Sequence, residues 1–215
     1  MRAVILIGGG GERLRPLTDK TRKAFLPLGS KRVIDHIMDR LPKGLKVEIS
    51  EDDSGAISAV SHCLKDNQPL MVIAGDNYFS QNLDSFISAY AGYTLVGVYD
   101  IKSRKKAQNF GVVHLHRDGR QISRLIEKPS QPLTTLVSTG LYIFPPQVFT
   151  HIRNLVANKP KGNLGEIIQY IMAFEPVYAY SIEGEWFDIG TKASYQAALN
   201  SIGEYHAVMG NIATT

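Results

Sequence analysis

Directly after the apolar run Ala3 to Ile7 stands the segment Gly8-Gly9-Gly10-Gly11-Glu12-Arg13-Leu14-Arg15-Pro16-Leu17-Thr18. Consecutive glycines let backbone N–H groups wrap anionic oxygens, because no Cβ stands in the way. Arg13 adds a planar, multi-donor cation suited to a pyrophosphate. The spacing is neither the Gly-x-Gly-x-x-Gly dinucleotide fingerprint nor a Walker loop ending in Gly-Lys-Ser/Thr. Taken alone, the glycines are equally compatible with a plain tight turn. Lys23 follows within Thr21-Arg22-Lys23-Ala24-Phe25-Leu26-Pro27-Leu28-Gly29, where apolar neighbours and a Pro-x-Gly turn suit either a cation over a partly buried site or a solvated lysine. Among later acidic residues, Asp76 in Gly75-Asp76-Asn77 closes an apolar strand, and Glu127 in Glu127-Lys128-Pro129 and Asp188 in Trp186-Phe187-Asp188-Ile189-Gly190-Thr191 stand further along. Each has a plainer reading, the aspartates as turn formers and Glu127-Lys128 as a surface pair worth ~0.2–1 kcal/mol.

The elements that must position these groups alternate strand and helix in the first half of the chain. Ala3 to Ile7 and Leu70 to Ala74 are short, continuously apolar runs, the pattern of buried parallel strands. Leu45 to Ser50 and Thr94 to Tyr99 read as further strands, and Val33 to Leu41, Gly55 to Leu64 and Leu83 to Tyr90 have helical spacing. After about Asp100 the pattern changes to strands at Gly111 to His116, Gln121 to Ile126 and Val137 to Phe144, with Asp118-Gly119 as a hairpin signal. Helices at Gln147 to Ala157 and Leu164 to Phe174, a strand at Val177 to Ile182 and a closing helix at Thr191 to Ser201 follow. This order implies an α/β fold, a Rossmann-like three-layer sandwich around a mixed, mainly parallel sheet. Ligands of such sheets bind at the carboxyl ends of the strands, which puts the residues after Ile7 and after Ala74 on one rim.

Composition narrows the class. At 215 residues, 44% hydrophobic and 20% charged, the chain can bury a core without staples. The one cysteine, Cys63, cannot form an internal bridge, and no stretch approaches the ~20 apolar residues of a membrane span. The apolar start runs into glycines and charges and offers no signal-peptide core. A cytoplasmic chain with no membrane partner is therefore expected. The net charge of +4 comes without large Lys/Arg clusters interleaved with aromatics, so phosphorylated small molecules are expected in place of nucleic acid. The six histidines show no metal-ligand spacing, and His114 and His116 are read as structural.

Taken in order, these segments resemble the sugar-nucleotide pyrophosphorylases, that is, the sugar-1-phosphate nucleotidyltransferases such as glucose-1-phosphate thymidylyltransferase. Leu6 to Thr18 matches the family's Leu-x-Gly-Gly-x-Gly-x-Arg-Leu-x-Pro-Leu-Thr, and Lys23 to Pro27 its Lys-x-x-x-Pro. Phe110-Gly111-Val112-Val113, Glu127-Lys128-Pro129, Ser138-Thr139-Gly140-Leu141-Tyr142 and the Trp-x-Asp-x-Gly-Thr segment at Trp186 follow in the family's order. The resemblance implies one nucleotidyltransferase domain over residues 1–215, with a nucleotide part to about residue 100 and a sugar-phosphate part to about residue 200. It implies Arg13, Lys23 and Asp76 as catalytic residues, and Leu6, Gly8, Gly9, Gly10, Gly11, Gly55 and Asp76 around the nucleotide. Gly111, Glu127, Lys128 and Gly140 are implied around the sugar phosphate, and Asp76 with Asp188 as ligands of Mg²⁺. The substrates would be a nucleoside triphosphate and a sugar-1-phosphate, and a homo-oligomer is compatible with this reading. Two alternatives are another phosphate acceptor, such as phosphocholine, and a weakly active regulatory paralogue that binds nucleotide sugars.

The chain departs from the family pattern at one place. The family has a second βα unit between the first helix and the strand before the base-reading loop; here only Pro42-Lys43-Gly44 intervenes before Leu45 to Ser50. That strand is expected to slide next to the first one, a displacement of one strand spacing, ~4.8 Å. The loop is altered too: Glu51-Asp52-Asp53-Ser54-Gly55-Ala56 keeps the glycine, Gly55, and lacks the family's proline.

Overall fold

In the computed structural model, which describes residues 1–212 and their side chains through Gly203, the first apolar run is strand β1 (Arg2–Leu6). Its first four residues are buried, as an interior strand covered on both faces requires. Two 3-10 turns, Glu12–Leu14 and Lys23–Phe25, lead to a small hairpin of β2 (Pro27–Leu28) and β3 (Lys31–Arg32) and to helix α1 (Val33–Asp39). Then come β4 (Val47–Ser50), α2 (Ala56–His62), β5 (Leu70–Ala74), β6 (Asn77–Phe79), α3 (Asp84–Ser88) and β7 (Thr94–Asp100). A short α4 (Arg104–Ala107) precedes the hairpin of β8 (Gly111–Leu115) and β9 (Ile122–Glu127), and the long strand β10 (Leu136–Phe144) follows. The chain continues through α5 (Phe149–Asn158), α6 (Leu164–Ile171), β11 (Val177–Ser181), β12 (Trp186–Asp188) and α7 (Lys192–Ile212).

Each strand and helix expected from periodicity is present, with shifted ends. The helix after Asn163 closes at Ile171 rather than Phe174, and the last helix runs on to Ile212. The elements that periodicity misses are β2, β3, β6, β12 and α4, all too short to show a repeat.

The main sheet runs β11-β7-β10-β5-β1-β4, with β8 pairing β10 and β9 pairing β8. Along that path β4, β1, β5, β7 and β11 point one way and β10 runs against them. Since β10 lies between β5 and β7, the parts before and after residue 100 share one sheet. Side chains alternate faces along each strand. Val4, Val72 and Phe144 join the helices α2, α5 and α6 in one buried cluster; Ile5, Ile73 and Ile143 join α1 and α3 in the other. These two apolar layers around the sheet are the three-layer sandwich. A third cluster of Leu14, Leu26, Val33, Tyr78, Ile189 and Ala198 ties the segment after the glycine turn to β12 and α7.

Strand β4 pairs in parallel with β1, Ala3 opposite Val47 and Leu6 opposite Ser50, so it occupies the position expected if the family's second βα unit is absent. It is the last strand of the sheet, and Ile49 on it is 46% exposed. Arg2, at the start of β1, is buried and paired with Asp66 at 3.1 Å. No described helix is long and apolar enough to cross a membrane.

The centre and the edge of the sheet should respond differently to truncation. Ile5→Ala, in the closed middle, is expected to cost about 2–5 kcal/mol in urea unfolding. Ile49→Ala, on the edge, is expected to cost less than about 0.5 kcal/mol.

Candidate active site

The glycine turn leaves the carboxyl end of β1 and meets the loop that leaves β4. A Cβ on Gly8 would overlap the Asp52 carbonyl, so only glycine lets the two loops lie this close. The Gly9 N–H donates to Asp53 Oδ1 at 2.8 Å, and the Arg22 fork donates to both Asp53 oxygens at 2.9 Å. That amide therefore already has a partner.

Asp76 stands just past the end of β5. The short antiparallel pair β6–β12 brings Asp188 beside it: Asp188 lies opposite Asn77, and the Ile189 N–H donates to the Asp76 carbonyl at 2.7 Å. Asn77 is buried and joins three segments, its Nδ2 donating to the Ala74 carbonyl at 3.0 Å and its Oδ1 accepting from Trp186 Nε1 at 2.6 Å. The ring of Trp186 is thereby fixed against Tyr99 and Phe110.

β5 and β8 pair with the same edge of β10, one after the other, so a crevice opens where β5 ends and β8 begins. Gly140 sits at that changeover, within the register shift between Ser138 and Tyr142. Its φ of 79° and the 2.9 Å that would separate a Cβ from the Ala74 Cβ both demand glycine. Glu127 closes the floor, its carboxylate 3.1 Å from where a Cβ of Gly111 would stand.

The electrostatics of the crevice are strained. Lys23 Nζ lies 2.5 Å from Asp76 Oδ2, and these side chains are only 20% and 24% exposed. Burial, and then repulsion from Asp76, push the Asp188 carboxyl up to about 6, against the pull of Lys23, Arg13 and Lys128. Burial also raises Glu127, although Lys128 opposes it. Arg13 and Asp188 share Gly190 as a neighbour: a Cβ there would fall 2.9 Å from Asp188 Oδ1 and 3.2 Å from Arg13 Nη2. Among the described residues no group of three or more His, Cys, Asp or Glu gathers for a metal, so a cation here would find two carboxylates and need its other oxygens from a ligand. The repulsion between Asp76 and Asp188 is the kind of imbalance that a divalent cation relieves, and in that respect the pair fits one.

Three cavities meet at this point. One of about 310 Å³ is lined by Leu6, Gly8, Gly9, Asp52, Gly55 and Asp76. A second, of about 370 Å³, has Gly111, Glu127, Lys128, Gly140 and Asp188 on its walls. A third, of about 380 Å³, follows the glycine turn past Gly10, Gly11 and Arg13 to Gly190. Lys23 lines all three. Each candidate site residue named from the sequence thus lines at least one of these three spaces.

Sequence reasoning overlooked Asn163, which lines both the first and second cavities. An asparagine directly before a helical pattern marks a helix start, and Asn163 is the residue before α6. Only packing tells that this helix end faces the crevice. Gly55, expected to approach a base, also packs against the segment that joins α5 to α6, with the Pro160 carbonyl 3.2 Å from where its Cβ would be. Asn77 and the Arg22–Asp53 pair were likewise not foreseen.

The chain and its fold have counterparts among known proteins. The family model described as nucleotidyl transferase matches residues 2–51 and 45–204. The two pieces share residues 45–51, as happens when one strand of the chain answers to two successive parts of the family pattern. The bifunctional protein GlmU of Methanocaldococcus jannaschii is 28% identical over 217 positions, covering 88% of this chain and 51% of that protein. The mannose-1-phosphate guanylyltransferase catalytic subunit beta of Dictyostelium discoideum is 25% identical over 241 positions, more than this chain has residues, covering 95% of it and 64% of the relative. The chain thus spans about half to under two thirds of these relatives' length. A solved Bacillus anthracis structure, described as a glucose-1-phosphate thymidylyltransferase in complex with a sucrose, superposes with a TM-score of 0.80 at 25% identity, covering 93% of this chain and 94% of that one.

Two outcomes are expected from the geometry. Because the folded chain holds the Asp188 carboxyl at about 6, it binds a proton between the ordinary carboxylate range and that pH that the unfolded chain does not, so this group's contribution to stability falls as pH rises through the window. Asp188→Asn should then raise the stability of metal-free protein at pH 8 by roughly 1–3 kcal/mol, seen as a higher Tm, with little gain at pH 4. Gly8→Ala should destabilise by about 1–3 kcal/mol through the clash with Asp52. Gly10→Ala, whose Cβ would meet nothing closer than 3.9 Å, should stay within about 1 kcal/mol of wild type by the same measurement.

Proposed function

The chain belongs to the nucleotidyl transferase family, and on that premise we propose that it transfers a nucleotidyl group from a nucleoside triphosphate to a sugar-1-phosphate, giving a nucleotide sugar and pyrophosphate. The observation that carries this reading is Lys23 at the meeting point of three cavities. In it the cavity beside Gly55 takes the nucleoside, the glycine-turn groove takes the β- and γ-phosphates, and the Glu127 crevice takes the sugar phosphate. Residues before about 100 then serve mainly the nucleotide and later ones the sugar.

The reaction is an in-line displacement. An oxygen of the sugar phosphate attacks the α-phosphorus as the bond to pyrophosphate breaks. The nucleophile is already an anion, so no general base is required, and catalysis reduces to positioning and charge neutralisation. Arg13, above Gly190, faces the departing pyrophosphate, and the amides of Gly10 and Gly11 remain for its oxygens. Lys23, now paired with Asp76, turns to the phosphate oxygens that collect where the cavities join. Lys128 holds the sugar phosphate, and Glu127, half-buried beside Gly111, accepts hydrogen bonds from sugar hydroxyls. Asp76 and Asp188 are the residues that would hold Mg²⁺, which supplies neutralising charge to phosphate oxygens when bound. A reducing compartment, the cytoplasm, suits a chain whose one cysteine is buried and free.

The test is pyrophosphate release with Mg²⁺ across the four common triphosphates and a set of sugar-1-phosphates, with phosphocholine as a competing acceptor. Turnover with at least one sugar phosphate is expected, and Arg13→Ala should lower its kcat/KM by about a hundred- to a thousandfold. Saturable nucleotide-sugar binding without turnover by any pair would favour the regulatory reading instead.

A further inference from the structure

We infer that Arg22 and Asp53 form a clamp that positions the loop after β4 on the glycine turn and thereby sets the affinity for the nucleoside triphosphate; the inference rests on the nucleotide assignment of the cavity beside Gly55. The loop Glu51 to Gly55 hangs from a strand of four residues that is paired on one side only, by β1. Residues 45–51 of this chain belong to both of the pieces that match the family model. A short edge strand is a weak platform for a binding loop, because half of its backbone pairing is missing. Yet this loop contributes Asp52, Asp53 and Gly55 to the cavity wall, so its placement decides the width of the pocket.

The polar ties of the loop divide into two kinds. Asp52 turns back on the loop's own side, with Oδ1 accepting from the Ser54 N–H at 2.8 Å and Oδ2 meeting His62 Nδ1 of α2 at 2.6 Å. Those contacts fix the loop's shape and leave its position over β1 open. Asp53 reaches across instead. Its Oδ1 accepts from the Gly9 amide and from Arg22 Nη1, and its Oδ2 accepts from Arg22 Nη2. Arg22 also stands 3.5 Å from Glu51 and directs Nη1 to the Ile7 carbonyl at 3.4 Å. One guanidinium thus bridges the end of β1 and both sides of the loop.

An isolated exposed pair of this kind contributes little. Here the fork is bidentate and a backbone amide shares the same carboxylate, an arrangement that fixes angle as well as distance. These hydrogen bonds hold the Asp53 carboxyl down at about 2, so the clamp stays ionised at neutral pH. Arg22 adjoins Lys23, so the clamp and the central lysine are set by one stretch of backbone.

Arg22 and Asp53 are therefore positioning residues, and their signature is selectivity between the two substrates. Calorimetric titration of the 215-residue chain with each triphosphate, without sugar phosphate, gives the first readout. Arg22→Gln is expected to weaken the best triphosphate about tenfold, and Arg22→Lys, which keeps the charge without the fork, by less. In turnover assays the KM for triphosphate should rise by a similar factor while that for sugar-1-phosphate stays within about twofold. Arg22→Gln added to Asp53→Ala should weaken binding no further than Asp53→Ala alone, because the two act as one unit. Unchanged triphosphate affinity in Arg22→Gln overturns the clamp, as does an equal loss for both substrates, which would signal general damage to the fold. A wild-type chain that binds no triphosphate also overturns it. Normal clamp behaviour without pyrophosphate release would sink the transfer reading and leave the clamp standing.

Discussion

The arrangement turns on two like charges held side by side where neither is fully hydrated. Asp188 lies on β12 and Asp76 in the turn just before β6, the strand that pairs with β12, and burial leaves Asp188 reluctant to ionise beside its neighbour. Lys23 and Arg13, from the segment after β1, and Lys128, from just after β9, are drawn around this pair. Such a cluster costs stability unless something compensates it. Its persistence requires rigid surroundings: Asn77 pins Trp186 and the end of β5, and Ile189 donates to the carbonyl of Asp76 itself. Strain of this kind is what a site for polyanions and their counter-ions would store.

The sheet makes room for that cluster by changing partners. β10 pairs with β5 from Leu141 to Phe144 and with β8 at Val137, with Gly140 at the break. Without a Cβ at Gly140 the strand can bend over Ala74, and the crevice opens beside the carboxylates. On the far side of β1 the sheet stops early, at β4, and the adjoining loop is drawn against the glycine turn by Asp53 and by the carbonyl of Asp52. A narrower sheet therefore still closes a cavity above Gly8 and Gly9.

Much of this could be read from the chain alone. The continuous apolar runs at Ala3 to Ile7 and Leu70 to Ala74 announced buried strands, because a strand covered on both faces has no reason to alternate. The absence of a spacer after Pro42-Lys43-Gly44 was enough to place β4 against β1. Segments with a repeat of two or 3.6 residues were found, with errors at their ends, where capping and turn chemistry outweigh periodicity. The pieces β6 and β12 carried no such signal, although their pairing is what joins Asp76 to Asp188. Asn163 and Asn77 were invisible as site residues for the same reason: a polar residue beside an element looks alike whether it faces solvent or a crevice.

What the sequence by itself determined are the properties carried by local order: which stretches are strands or helices, where glycine admits a close approach, and that Asp76 follows a buried strand. Those follow from side-chain size, periodicity and backbone freedom within a few residues. Tertiary structure alone decided which charges would meet. Lys23, Asp76 and Asp188 lie far apart in the chain, and their distances, their burial and the raised proton affinity of Asp188 exist only after β6 and β12 pair and the sheet divides at Gly140. Electrostatic interaction depends on separation in space and on exclusion of water, and neither is written in any single stretch of residues.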